Sequence, residues 1–347
     1  MNELNEHTDE SGELYEHYRF KVDRGQAPLR IDKYLFSKLS DASRNRIQNA
    51  SKAGNILVND EPVKPNYKVR PLDIITIVLA YPPRDTEIYP ENIPINVVYE
   101  DREVLVLNKE SGMVVHPGHG NFSGTLLNAL VYYFLNTPEN KSADAKPFLA
   151  HRIDKDTTGI LLIAKNELAQ SKLARQFYDH TIDRIYIALV WGDLPDDEGT
   201  ITGNIARSGR DRTVMAIYDD EEIGRHAVTH YRVLERFGYV TLVECKLETG
   251  RTHQIRAHFK HIGHPLFNDA KYGGDEILRG TTFTKYKQFV QNCFSLIPRQ
   301  ALHAKSLGFI HPATREHMLF DSELPEDFQT VLEKWRKYTQ RNEELRI

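Results

Sequence analysis

The chain alternates between short apolar runs and amphipathic stretches, a pattern that predicts both strands and helices. Near the N-terminus, Ile31, Leu35 and Leu39 recur at helical spacing, and a second helical pattern begins after Ser43 and stops at Gly54. Short strand-like runs follow, bounded by turn residues, with the sequences NILVN, YKV and DIITIVL. This region therefore predicts a small unit of two helices followed by a sheet.

The rest of the chain carries longer strand-like runs and further helical patterns. The runs read INVVYE, VLVLNK, GILLIAK, RIYIALVWG, AVTHYRVLERF and YVTLVECKLE, and the helical patterns cover residues 125–135, 166–180, 252–262 and 325–341. Short turns between neighbouring runs, such as Phe237-Gly238, favour antiparallel pairing. We therefore predict an α+β fold with a mixed, mainly antiparallel sheet, and a polar loop over residues 136–147.

Composition shifts divide the chain into four segments. We predict a disordered acidic leader over residues 1–17 and a small αβ domain over residues 18–80. A proline-rich linker is predicted over residues 81–94, and a large domain over residues 95–347.

Composition also excludes several classes of protein. In 347 residues, 40% are hydrophobic and 27% are charged, which is ordinary for a globular protein. No apolar run reaches the length of a membrane span, and the N-terminal segment lacks the apolar core of a secretory signal. The two cysteines, Cys245 and Cys293, lie far apart, which argues against a disulfide scaffold. We expect a cytoplasmic protein that does not enter a membrane.

Charge is distributed unevenly along the chain, although the net charge is only −4. Residues 1–16 carry six acids and no lysine or arginine, whereas residues 21–70 carry eleven bases against five acids. Bases concentrated on one small module indicate contacts with phosphates. The bases that we predict to bind RNA are Lys33, Arg44, Arg46 and Lys52. Residues 28–80 resemble the S4 RNA-binding domain, which implies binding to structured RNA.

A cluster of charge stands at the start of one buried strand, in the sequence HRIDKDTTGILLIAKN at residues 151–166. Asp156 opens the turn DTTG, where an aspartate commonly bonds to backbone N–H groups. Asp154 lies closer to the apolar run and needs an opposite charge if it is partly removed from water. Taken alone, either acid is compatible with a purely structural role.

A second polar cluster, GRTHQIRAHFKHIGHP, covers residues 250–265 and includes four histidines. The spacing HExxH is absent and no cysteine is near, so a metal site is not predicted. We predict that His253 makes hydrogen bonds or contacts phosphates. Arg251 stands at the turn before the helix and can reach a neighbouring strand end, whereas Arg256 lies further into the helix. Tyr186 lies within the run RIYIALVWG, where packing is the ordinary role of an aromatic residue.

These motifs, in this order, resemble the RluA-type family of RNA pseudouridine synthases. The matching pieces are NKESGMVVHPGHGNFSGTLLNAL, HRIDKDTTGILLIAKN, RIYIALVWG, GRTHQIRAHFKHIGHPLFNDAKYG and RQALHA. The S4-like unit narrows the resemblance to RluD-like members that modify large-subunit ribosomal RNA. The resemblance implies an isomerase that detaches uracil from ribose, rotates it and rejoins it through carbon. It further implies RNA as the partner, no obligatory protein partner, and no cofactor or metal.

The resemblance also implies roles for particular residues. The catalytic aspartate of the family corresponds to Asp154, its paired arginine to Arg251, and its active-site tyrosine to Tyr186, which stacks on the extruded base. Arg152 matches the position that enters the RNA stack, and Leu302 matches an apolar wall against the uracil. Whether the carboxylate attacks the ring, attacks the sugar or removes a sugar proton is left open.

Two departures from the family pattern affect loops. Glu110-Ser111 replaces the usual Pro-Ala, and Asn268 replaces a more usual glycine before Asp269. They put local loop geometry in question.

Two other classes of function stay open at this point. A non-catalytic RNA-binding protein would depend on the S4-like unit and not on Asp154. A glycosidase or nuclease with two carboxylates would need a second acid at working distance, and Asp156 belongs to a turn. The target uridine, the class of RNA and the oligomeric state cannot be read from the sequence.

Overall fold

A computed structural model of the chain describes residues 15–39, 42–79, 88–118, 121–142, 146–220 and 222–344. The chain divides into two compact units between residues 87 and 88. No helix in these described ranges is long and apolar enough to cross a membrane.

The smaller unit has two helices and short antiparallel strands. Its elements are β1 (Tyr15–Lys21), β2 (Leu29–Arg30), α1 (Ile31–Lys38), α2 (Arg44–Lys52), β3 (Ile56–Val58), β4 (Glu61–Pro62), β5 (Lys68–Val69) and β6 (Ile74–Leu79). The main sheet has the strand order β1-β6-β3-β4, and β2 pairs with β5 separately. Helix α2 begins as predicted, because the Ser43 hydroxyl accepts a hydrogen bond from the backbone N–H of Arg46.

The sequence missed the first strand of this unit. Strand β1 pairs antiparallel with β6, from Tyr15 opposite Leu79 to Lys21 opposite Ile74. Residues 15–17 are therefore ordered in a strand, and their assignment to the disordered leader was wrong. Residues 1–14 of that predicted leader lie outside the described residues.

The larger unit is built on one broad sheet covered by helices. Its elements are β7 (Val97–Glu100), β8 (Val104–Lys109), α3 (Leu126–Asn136), α4 (Pro138–Ser142), β9 (Phe148–Leu149), β10 (Thr158–Ala164), α5 (Glu167–Tyr178), β11 (Asp183–Trp191), β12 (Glu198–Arg207), β13 (Met215–Tyr218), β14 (Arg225–Arg236), β15 (Val240–Leu247), α6 (Gln254–His261), α7 (Thr284–Leu296), β16 (Leu302–Ile310), β17 (His317–Asp321) and α8 (Glu326–Glu344). The sheet has eleven strands in the described part of the chain, with the main order β13-β12-β14-β15-β11-β16-β10-β8-β7. Most neighbours are antiparallel, whereas β10 and β16 pair in parallel, so the predicted mixed, mainly antiparallel sheet is confirmed.

Strand β10 is buried along its whole length, as its continuous apolar sequence predicts. Successive side chains of a strand point to opposite faces of the sheet. Leu161 and Ile163 pack in one cluster with residues of α3, while Ile160 and Leu162 pack in another with residues of α5. This double coverage fixes the position of the residues just before β10.

The predictions for the larger unit were wrong in two places. The predicted polar loop 136–147 contains the short helix α4. The predicted linker 81–94 ends earlier than expected, because residues from 88 onward attach to α3. The side-chain amide of Asn128 donates to the backbone carbonyl of Tyr89. The backbone carbonyl of Asn128 accepts from the backbone N–H of Glu91. Residues 81–87 of that linker lie outside the described residues.

Gly159, the second residue of β10, has no room for a side chain. Its φ is +113°, and a Cβ there would lie 2.1 Å from the carbonyl oxygen of Ala304 on β16. We expect Gly159→Ala to lower the free energy of unfolding by about 2–4 kcal/mol, since a strained backbone and overpacking each cost about 1–3 kcal/mol. Urea denaturation followed by circular dichroism measures this loss.

Gly112→Ala is the matched control for this prediction. Gly112 also has a positive φ, of +83°, but a Cβ at this position would meet no described atom within 4 Å. Its substitution should therefore show only the left-handed backbone penalty, about 1 kcal/mol. Equal losses in the two variants would contradict the close approach between β10 and β16.

Candidate active site

A cavity of about 620 Å³ opens beside the N-terminal end of β10. Asp154 lies in the turn before β10, Tyr186 lies on β11, and Leu302 begins β16, the strand between them. The first turn of α6 closes another side of the cavity. Three neighbouring strands and one helix thus bring together residues that are distant in the sequence.

The carboxylate of Asp154 is held by Arg256 at the start of α6. Nη1 of Arg256 donates to Oδ2 of Asp154 at 2.9 Å, while its Nε and Nη2 bind both oxygens of Asp269 at 2.7 and 2.8 Å. Arg256 and Asp269 are almost fully buried, but the Asp154 side chain keeps 20% of its surface exposed. Asp269 therefore fixes the guanidinium, and the guanidinium orients a carboxylate that faces the cavity.

The prediction that Arg251 pairs with Asp154 was wrong. Arg251 is half-buried in the cavity wall, and its Nε donates to the backbone carbonyl of His226 on β14 at 3.0 Å. His253, which lies between the two arginines, has a left-handed backbone with a φ of +53°. Arg251, before it, contacts β14, and Arg256, after it, contacts Asp154.

His253 lies beside the catalytic candidate. Its Nε2 is 3.8 Å from Oδ2 of Asp154, and its Nδ1 is 3.0 Å from the hydroxyl of Tyr272. Burial lowers the pKa of His253 to about 4, so the ring is neutral near pH 7. At neutral pH His253 offers the cavity a hydrogen-bonding ring and not a positive charge.

Tyr186, Leu302 and Arg152 all line the cavity. Burial raises the pKa of Tyr186, which keeps its hydroxyl protonated at neutral pH. Leu302 is buried at the apolar side, and Arg152 is exposed. The cavity therefore has an aromatic and apolar side suited to a base, with an exposed cation among its lining residues.

Two buried cations that the sequence reasoning missed fix the turn around Asp154. Nζ of Lys109 donates to the backbone carbonyls of Lys155, Glu110 and Met113 at 2.7–3.0 Å. Burial lowers the pKa of this lysine to about 8. Lys109 thus ties the turn to the loop in which Glu110-Ser111 departs from the family pattern.

Arg299 is the second buried cation. Its Nη1 donates to the carbonyls of Asp156 and Leu302, both at 3.3 Å, and its other nitrogens bind the carboxylate of Asp327 on α8. Cations that stand next to apolar runs gave no sequence signal for this role. Together, Lys109 and Arg299 hold two successive carbonyls of the turn, those of Lys155 and Asp156, and so position the Asp154 side chain.

Asn268, the other departure from the family pattern, has a local explanation. Its φ is +57°, a conformation that asparagine tolerates better than most residues other than glycine. Its amide donates to the carbonyls of Phe294 and Ile297, at 3.1 and 2.7 Å. Asn268 therefore keeps the turn before Asp269 and adds two bonds to the end of α7.

In the smaller unit, the four predicted RNA-binding bases divide into two kinds. Arg44 donates to the buried carboxylate of Asp32 on α1, at 3.1 and 3.2 Å. Lys33, Arg46 and Lys52 are exposed on α1 and α2. The structure thus gives Arg44 a structural bond, although its side chain is 44% exposed, and places the other three on the surface.

The lining of the cavity limits the chemistry that it can perform. Of the described residues that line it, Asp154 is the one carboxylate, since Asp269 lies behind Arg256. A two-carboxylate mechanism therefore lacks its second acid there. In the described ranges, no group of three or more His, Cys, Asp or Glu side chains is placed to hold a metal ion.

Comparisons with known proteins identify the family of the chain. The family model described as RNA pseudouridylate synthase matches residues 103–261, and the S4 domain model matches residues 29–75. The chain belongs to the RNA pseudouridine synthases, enzymes that isomerise uridine in RNA to pseudouridine.

Individual relatives align over most of the chain. An RNA pseudouridine synthase of Chlorobaculum parvum is 45% identical, over 91% of this chain and 96% of its own length. The "Ribosomal large subunit pseudouridine synthase D" of Zymomonas mobilis is 41% identical, over 87% of this chain and 92% of its own. Among solved structures, human RNA pseudouridylate synthase domain containing 1 has a TM-score of 0.51 at 26% identity, covering 69% of this chain and 87% of that one.

Proposed function

We propose that this chain converts uridine to pseudouridine in large-subunit ribosomal RNA, with Asp154 as the reacting carboxylate. The observation that carries the proposal is the Asp154–Arg256 ion pair, at 2.9 Å, at the wall of a cavity that also holds Tyr186. Relatives named for the ribosomal large subunit align over nearly the whole chain, which supports the choice of RNA. The proposal includes a cytoplasmic location for the enzyme and its substrate.

The cavity supplies what the reaction requires of the protein. Extruding a uridine from its stack costs a few kcal/mol, and stacking of the base on an aromatic side chain offsets part of that cost. Tyr186 and Leu302 line the cavity together with Asp154, which supports such a stacking surface. The exposed Arg152 is, in this proposal, the residue that fills the space that the base leaves. Attack on the ring, attack on the sugar and removal of a sugar proton all need an ionised carboxylate at this point.

The direct test of the substrate is chemical mapping of pseudouridine. Purified protein is incubated with unmodified large-subunit ribosomal RNA and, separately, with a pool of unmodified transfer RNA. We expect new pseudouridine at one or a few positions of the ribosomal RNA. The same positions should lack pseudouridine in cells without the gene.

Other outcomes of this mapping contradict the proposal at different levels. Modification of transfer RNA alone would overturn the choice of substrate while leaving the activity intact. Absence of pseudouridine in both RNAs would favour the alternative of an RNA-binding protein that acts in ribosome assembly.

The exposed bases of the smaller unit should contribute phosphate contacts. We expect the triple variant Lys33→Gln, Arg46→Gln and Lys52→Gln to bind ribosomal RNA more weakly, because it loses three phosphate contacts. Each lost contact also makes the slope of log affinity against log salt shallower, by about 0.7–0.9. The slope should fall by roughly 2, with kcat at saturating RNA unchanged. Filter binding over a series of salt concentrations measures it.

The control for this variant changes three exposed lysines elsewhere. Lys285, Lys287 and Lys337, on α7 and α8, are exposed in the larger unit, outside the S4-like domain. Changing all three to glutamine alters the net charge equally and should leave the slope nearly unchanged. Equal losses in both triple variants would mean that overall charge, and not the S4-like unit, governs binding.

A further inference from the structure

Arg184 is a buried cation in the wall of the active-site cavity. It lies on β11 with 7% of its surface exposed, and it lines the cavity together with Asp154 and Tyr186. Its Nε has no hydrogen-bond partner among the described residues, and Nη2 makes one long bond, 3.3 Å, to the backbone carbonyl of Glu248. A buried guanidinium with so few partners is costly unless an anion joins it.

The neighbouring carboxylates are engaged elsewhere. The side chain of Glu248 lies 2.6 Å from the ring of His230, and Asp183 is directed to Lys246 at 3.4 Å. Asp154 is bound by Arg256. No described acid therefore forms an ion pair with Arg184, although four arginines line this cavity against one carboxylate.

The surroundings make room for this guanidinium and its charge. A Cβ on Gly250 would lie 2.4 Å from Nη1 of Arg184, so the glycine leaves the space that the side chain occupies. The guanidinium stands over the ring of Phe177, with 5.6 Å from Cζ to the ring centroid. Burial lowers the pKa of Arg184, and the nearby charge of Arg251 acts in the same direction.

The position of Arg184 along β11 indicates what the anion is. Arg184 and Tyr186 are two residues apart on one strand, so their side chains project on the same side at about 6–7 Å spacing. A uracil that stacks on Tyr186 carries its own ribose and phosphates to the side of the ring. A backbone phosphate of the same nucleotide or its neighbour can then reach Arg184.

We propose that Arg184 is the receptor for one backbone phosphate of the substrate, next to the extruded uridine. This inference rests on the proposed function, because it takes RNA as the ligand of the cavity. No described acid neutralises the charge of this guanidinium. A phosphate neutralises it and accepts charge-assisted hydrogen bonds from it. Arg184 thereby acts as a positioning residue, since it places the sugar and base of the uridine against Asp154.

The test replaces single phosphates of the substrate by neutral methylphosphonates. A synthetic stem-loop of ribosomal RNA that the wild-type protein converts is prepared with one neutral linkage at a time around the target uridine. Wild type should lose about 10–100-fold in kcat/KM at one linkage, the range of a hydrogen bond to a charged group. Arg184→Gln should lose a similar factor on the native RNA, with less than about twofold further loss at that linkage.

Three comparisons separate this role from a structural one. Arg232→Gln changes an arginine of β14 that is 61% exposed and pairs with Glu244, and it should keep full activity and full sensitivity to the neutral linkage. Arg184→Gln should unfold at the same temperature as wild type or higher, because it removes an uncompensated buried charge. Arg184→Lys should recover part of the lost activity.

The outcomes distinguish failure of this inference from failure of the proposed function. One outcome is that wild type converts the native stem-loop while the loss from Arg184→Gln and the loss from the neutral linkage multiply at every linkage. In that case Arg184 is not the phosphate receptor, and the proposed function stands. A marked loss of thermal stability in Arg184→Gln would assign the residue to the fold instead. If wild type converts no RNA, the proposed function fails and the inference fails with it.

Discussion

An Asp154→Asn variant should lose pseudouridine formation by at least about 10³-fold, while its fold and its affinity for RNA change little. General acid–base or nucleophilic groups commonly contribute at this scale, and an amide can neither attack nor take up a proton as a carboxylate does. The fold should survive because Arg256 keeps both of its bonds to Asp269. Single-turnover assays with excess protein, together with filter binding of the same RNA, measure the two effects.

Asp156→Asn is the matched control for this variant. It makes the same chemical change two residues away, in the same turn, at a position that does not line the cavity. We expect its activity to remain within a few-fold of wild type. Comparable activity of the Asp154→Asn variant and the control would rule out Asp154 as the reacting group.

Replacement of Arg256 by glutamine should damage both activity and stability. It leaves Asp269, which is 1% exposed, as a buried charge without its partner, and breaking a buried ion pair costs about 3–5 kcal/mol. It also removes the guanidinium that orients Asp154, so the remaining folded protein should be nearly inactive. Thermal unfolding and the single-turnover rate of the folded fraction measure the two losses.

Arg251→Gln distinguishes the two arginines of the sequence GRTHQIR. Arg251 is half-buried and its Nε bonds to a backbone carbonyl, so its replacement should cost no more than about 1 kcal/mol. Asp154 should stay in place, with activity reduced by less than about tenfold. A larger loss of activity in Arg251→Gln than in Arg256→Gln would support the pairing of Arg251 with Asp154 that the sequence predicted.

Local sequence pattern predicted most of the elements near the site. The runs VLVLNK and GILLIAK became β8 and β10, and the helical pattern at 252–262 became α6. Helix α7 was missed although its buried residues Tyr286, Val290, Cys293 and Phe294 follow helical spacing. Strand β12 gave a weak signal, because glycines and polar residues interrupt its alternation.

The motifs named residues that the fold brings to one cavity, whereas contacts decided which charged groups pair. Asp154, Tyr186, Leu302, Arg152 and His253 do line one cavity. Their catalytic and RNA-binding roles stay predictions until variants are assayed. Lys109 and Arg299 gave no sequence signal, since the turn groups that they bind are the backbone carbonyls of Lys155 and Asp156, which only folding brings within reach.

The sequence by itself determined the membership in a family, the two kinds of unit and the buried strand that carries a charged turn at its start. These are local properties, set by side-chain periodicity and by residues adjacent in the chain. Only the tertiary structure decided which arginine meets Asp154, because the two partners are 102 positions apart. That choice depends on the direction of each side chain: Arg251 lines the same cavity but bonds to a carbonyl of β14, whereas Arg256 reaches Asp154.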